Sequence, residues 1–196
     1  MQAFEHEGAS VRASMRYLMQ EKEIIAAGLL LCLSFLKGQK IKGVVIQEFQ
    51  KVEPAQFNQG LIDFQLLCSI EQTAINVGIV VLTEPSANEV CTALNRLFSY
   101  KDFGLNRLCI LRSAAVIDSD PQVQNNFSRL LSPEIGGNLV DLRVNALEMI
   151  LTILFVFRGR HKYSIDTSTM TNYLQQANIL PNNAIIRDLL MSQVDY

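Results

Sequence analysis

The chain has 196 residues, 49% of them apolar and 18% charged, with 17 Lys and Arg against 19 Asp and Glu for a formal net charge of −2. That length fits one domain, or one domain with a large extension, and the apolar content excludes intrinsic disorder because it supplies surface to offset the entropy of ordering. The near-neutral charge excludes a generic basic nucleic-acid binder, since no net positive field draws in phosphates.

Residues 1–9 read as a frayed start. Ser10 or Ser14 is positioned to cap a helix running to about Lys37, with Ala13, Tyr17, Leu18, Ile24, Ile25, Leu29 and Leu33 at three- and four-residue steps. Gly38 closes it. Within this helix the run Ile24 to Leu36 is thirteen residues long. A spanning helix needs about 20 apolar residues, so the run suits a buried core helix and no membrane span is expected. The first ~20 residues carry Glu5, Glu7, Arg12 and Arg16 and no apolar leader segment, so no secretory signal is expected and a cytoplasmic location is.

A β-rich block follows. Lys42 to Phe49, Leu61 to Ile70 and Ile75 to Leu82 read as three strands, the third apolar on both faces and therefore central. Pro54 to Gly60 is a polar turn, and Glu71-Gln72-Thr73 a short hairpin connection. A helix starts at Pro85-Ser86, with Val90, Ala93, Leu94, Leu97 and Phe98 on its apolar face, and Leu108 to Ile117 reads as a fourth strand. From Asp118 the pattern is mainly helical: about 121–131, about 140–157, about 170–177 and 183–191. Ser132 to Gly137 is the clearest loop, and Tyr163-Ser164-Ile165 a possible short strand. Short links pair strands antiparallel, and the strand-helix-strand step over 75–117 implies a parallel crossover. The expected fold class is α/β: a mixed β-sheet covered by helices on both faces, with residues 1–118 as an α/β core and 119–196 as a helical extension packed on it.

Cys32, Cys68, Cys91 and Cys109 lie in apolar surroundings, at least 18 residues apart, with no CxxC pair. They read as four buried thiols in a reducing compartment, with two disulfides as the alternative. A zinc site is not expected, because His6 and His161 are the only histidines and lie far from the cysteines.

The order helix, three strands, helix, strand resembles the α-β-β-β-α-β core of the PD-(D/E)XK, or restriction-endonuclease-like, superfamily. Gly60-Leu61-Ile62-Asp63-Phe64 is similar to the family's aspartate at the start of the second core strand. Ala74 to Leu82 matches the third strand in position and hydropathy. Ala93 to Tyr100, Phe103-Gly104 and Arg107 to Arg112 resemble the following helix and last strand. The resemblance covers about residues 14–117. It implies a site in which two carboxylates hold a divalent cation that activates water, while a Lys stabilises developing charge. That site needs an acid and a Lys two residues apart on the third strand, where they share one face. This chain has Asn76-Val77-Gly78 and Gly78-Ile79-Val80 there instead.

Asp63 is thus the candidate catalytic residue and candidate metal ligand, competing with a plain strand-edge aspartate bonded to backbone amides. Replacement acids are Glu23 and Glu84, replacement bases Arg96 and Lys101, and Glu48 with Lys51 form a further option. Gly78 marks either a lost catalytic side chain or a close approach by a neighbour. The resemblance implies a catalytically degenerate nuclease-fold protein serving as a binding or scaffold subunit in a nucleic-acid-handling assembly. Its alternative is a divergent nuclease that would need Mg²⁺. The apolar surplus supports a third reading, a protein-interaction domain in a homo-oligomer or larger complex. Arg158, Arg160 and Lys162 flank His161 in the only dense basic cluster. They are candidate nucleic-acid contacts, or cations that complement a helix C-terminus.

Overall fold

A computed structural model describes residues 2–50, 52, 60–84, 86–113 and 120–191. Among the described residues six strands form one sheet in sequential order: β1 (Lys40–Ile41), β2 (Val44–Gln50), β3 (Phe64–Ile70), β4 (Thr73–Leu82), β5 (Arg107–Arg112) and β6 (Gly137–Asp141). Pairing is antiparallel from β1 to β4 and parallel from β4 to β6. The α-helices of the described residues are α1 (Gln2–Leu18), α2 (Lys22–Ser34), α3 (Ala87–Leu97), α4 (Pro121–Leu130), α5 (Val144–Arg158), α6 (Thr167–Gln176), α7 (Ile179–Asn182) and α8 (Ala184–Met191). The chain therefore has the expected mixed α/β architecture.

The alternation of β4 explains the two-sided core. Val77, Ile79 and Val81 join one apolar cluster with residues of α1, α2, α5 and α8. Val80 and Leu82 join the other, with residues of α3 and α4. Successive side chains of a strand point to opposite faces, so a strand apolar at every position is covered twice.

The single helix expected up to Lys37 is two helices, and residues 2–9 are helical rather than frayed. Tertiary contacts hold the first turns: Phe4 packs on Tyr173 with ring centroids 4.9 Å apart, and Glu7 accepts the Tyr163 hydroxyl. Neither Ser10 nor Ser14 caps a helix, since both lie within α1. Gly38 does not close α2, which stops at Ser34; with φ +78° it leads into the first hairpin, its N–H donating to the Ile46 carbonyl.

The strand expected over 42–49 is β2 from Val44 onward, and its first two residues are instead the turn of a hairpin with β1. Lys42 (φ 51°) and Gly43 (φ 92°) form its two-residue turn, both in the left-handed region that such turns require. Ser86 caps α3, accepting from the Glu89 N–H, as the capping-box spacing dictates. β5 ends at Arg112, short of its expected end: Ser113 is not in the strand, and 114–117 lie outside the described residues, as do 54–59 of the expected polar turn.

The larger correction is in the second half. The residue 118/119 boundary lies outside the described residues, but the segment after it is not purely helical. Gly137–Asp141 pairs in parallel with β5, and α5 begins at Val144 rather than at about 140. Residues 163–165 form no strand, and Ser164 turns with φ 51°. α5 packs against α1, α2 and α8, and all four contribute to the apolar cluster on that face of the sheet. All four cysteines are buried thiols and none forms a disulfide, which overturns the disulfide alternative.

Candidate functional site

Three elements meet at one end of the sheet: the start of α2, the residue before β3 and the residues after β4. Asp63 immediately precedes β3 and extends its pairing with β4. Its N–H donates to the Ile79 carbonyl at 2.9 Å, and its Oδ2 accepts the Val81 N–H at 2.7 Å. The Lys22 ammonium lies 3.6 Å from Oδ1, with only 12% of the Asp63 side chain exposed. Lys22 also donates to the Gly60 carbonyl at 3.0 Å. It can do both because the chain breaks at 19–21 and restarts as α2 with Lys22 as its first helical residue.

Burial is the largest influence on Asp63 and pushes its carboxyl up to about 6; Lys22 and the Val81 N–H pull it down, and the charge of Glu84 raises it further. Glu84 is therefore within electrostatic reach. Its Oε2 is buried with no hydrogen-bond partner among the described residues.

The other candidates are placed differently. Glu23 is exposed on α2. Arg96 lies in the last turn of α3, and α3 runs back from the Asp63 end of β4 to the start of β5. Eleven helical residues rise about 16 Å, so Arg96 and Lys101 sit at the opposite end of the sheet. Lys101 instead donates to the Glu134 carbonyl at 3.3 Å. Glu48 is exposed on β2, and Lys51 lies outside the described residues. Lys22, the nearest cation to Asp63, is the residue that sequence reasoning missed. Reading 10–37 as one continuous helix hid the start at which Lys22 sits.

Gly78 has a packing reason. A Cβ there would meet Leu105 Cδ1 at 2.6 Å and Ile62 Cγ2 at 3.3 Å. The position where the resembled family would carry its acid-x-Lys element is filled by neighbouring apolar side chains.

Arg158, Arg160 and Lys162 cluster around the C-terminal end of α5. The Arg160 guanidinium lies 4.4 Å from the Phe157 ring centroid, and its Nη1 donates to the Phe157 carbonyl at 2.9 Å. Lys162 lies 5.1 Å from the Tyr163 ring centroid. The Tyr163 hydroxyl donates to Glu7 near the start of α1, whereas Lys22 follows the end of α1. From Glu7 to Leu18 the helix rises about 17 Å, so the basic cluster and Asp63 belong to different ends of the molecule.

Among the described residues no three His, Cys, Asp or Glu side chains converge to hold a metal ion. A divalent cation wants several oxygen ligands. One oxygen of Asp63 is taken by a backbone N–H and the other faces an ammonium, so the residues present do not fit a resident Mg²⁺. Among the described residues no helix is long and apolar enough to cross a membrane. No family model matches the chain, and no curated protein matches it.

Proposed function

We propose that this chain is a catalytically degenerate nuclease-fold protein that acts as a binding or scaffold subunit within a nucleic-acid-handling assembly. The supporting observation is the internal neutralisation of Asp63. Its carboxylate is held by Lys22 and the Val81 N–H, beside a β4 segment that is apolar from Val77 to Leu82 apart from Gly78. The order α2-β2-β3-β4-α3-β5, with antiparallel then parallel pairing, agrees with the α-β-β-β-α-β resemblance. Four buried cysteines that form no disulfide suit a reducing cytoplasm. Self-association or a larger complex supplies the scaffold role, and Arg158, Arg160 and Lys162 supply local phosphate contact.

The test is incubation of the purified chain with Mg²⁺ and labelled single- and double-stranded DNA and RNA. No cleavage above that of Asp63→Ala is expected. Mg²⁺-dependent cleavage that Asp63→Ala abolishes overturns the reading. It would favour instead a divergent active nuclease, for which the one supporting observation is that Lys22, Asp63 and Glu84 share one end of the sheet.

A further inference from the structure

Tyr17 on α1 is the most exposed large apolar side chain among the described residues, at 63%. Its hydroxyl is hydrogen-bonded to Glu21, so the ring is presented as a ridge whose polar end is already satisfied. Grooves flank the ridge. One, of about 280 Å³, is lined by Glu7, Val11, Leu18 and Phe155 among others. The other, of about 340 Å³, runs past Ala13, Ser14, Arg16 and Gln20.

We propose that this face of α1 pairs with the same face of a second copy of the chain. The two helices would lie antiparallel about a two-fold axis near Ser10 to Ser14. Charge order along the helix selects this occupant and this direction. Glu5 and Glu7 lie in the first half of α1, Arg12 and Arg16 in the second. Antiparallel pairing sets the exposed Arg16 of each copy against the acidic half of the other, whereas parallel pairing would stack like charges. Arg12 is already held by Glu148 and Glu7 by the Tyr163 hydroxyl, which leaves Arg16 and Glu5, both exposed, as the steering pair. In a two-fold contact residue i meets j and j meets i. Tyr17 of each copy therefore enters the groove beside Glu7 and Val11 of the other. Ser10, Ala13 and Ser14 are short enough for the axes to approach to about 8–10 Å. A 17-residue helix presents too little surface for an obligate dimer, so the pairing is weak and concentration-dependent.

The proposal rests on the assembly part of the functional reading. Sedimentation equilibrium of the full chain over a micromolar concentration series tests it. A reversible monomer–dimer equilibrium is expected. Tyr17→Asp and Arg16→Glu, each checked for folding by far-ultraviolet circular dichroism, should each raise the dimer Kd about tenfold or more. Glu5→Lys combined with Arg16→Glu should bring it back towards that of the unaltered chain. A monomer at every concentration overturns the proposal, as does a dimer insensitive to both single variants. Failure of the double exchange overturns the antiparallel direction. A monomer that also fails to cleave nucleic acid overturns self-pairing while leaving the degenerate-nuclease reading in place.

Discussion

Lys22 and Asp63 face each other across the start of α2 and the start of β3, with the ammonium 3.6 Å from Oδ1. The same ammonium takes the Gly60 carbonyl, so one side chain ties the second helix to the chain leading into a central part of the sheet. A buried carboxylate with one backbone donor and one ammonium is a satisfied structural group. A catalytic carboxylate waiting for metal would be left open.

The buried carboxyl gives a pH signature. Its folded value of about 6 lies above the ordinary 3.8, so the folded state binds this proton more tightly than the unfolded chain does. Its contribution to stability is therefore greatest at low pH, falls as pH rises from about 4 to about 6, and levels off above that. Asp63→Asn keeps an acceptor for the Val81 N–H and removes the titration. Urea unfolding at several pH values should show the original chain losing about 2–3 kcal/mol relative to the Asn variant across that window. Parallel stability curves for the two proteins would contradict the burial of this group.

Lys22→Met keeps most of the apolar stem and removes the charge. Because Lys22 lowers the Asp63 value, its loss should move the carboxyl titration above about 6. Carbon-detected NMR of the Asp63 carboxyl reads this directly. An unchanged midpoint would mean that the two groups are not neighbours in solution.

Gly78 is required by close approach. In Gly78→Ala the new methyl would stand 2.6 Å from Leu105 Cδ1, and overpacking of this kind costs about 1–3 kcal/mol. Leu105 is buried, and Leu105→Ala alone should cost about 2–5 kcal/mol. Since the added methyl fills part of the space Leu105 leaves, the double variant should lose less than the sum of the two. Strict additivity in denaturant unfolding would show that the two positions do not touch.

Asn183 joins α8 to α5. Its Oδ1 accepts the N–H groups of Ile185 and Ile186, and its Nδ2 donates to the Ala146 carbonyl at 2.8 Å. Asn183→Ala removes a helix cap and a buried link, which together are worth about 1–3 kcal/mol. Asn183→Asp keeps the cap alone and should recover part of the loss. Equal melting temperatures for the Ala and Asp variants would assign no role to the cap.

Local patterns in the chain determined much of this molecule. The apolar run at 75–82 marks a central strand because it is apolar at every position, which only a doubly covered strand can satisfy. Ser86, three residues before Glu89, starts α3, and Asp63 stands where β3 begins. The scarcity of charge on β4 is equally local: no acid or lysine is present there to build the site that the resemblance implies.

Tertiary structure decided the rest. The break between α1 and α2 has no glycine or proline to announce it; what holds the new start is the reach of Lys22 to Gly60 and Asp63. β6 has five residues, begins with glycine and carries no run of strand formers, so its pairing comes from the open edge of β5. The partner of Asp63 was hidden for the same reason. Helical periodicity fixes which face a residue takes, but where the end of a helix is aimed depends on contacts between segments far apart in the chain.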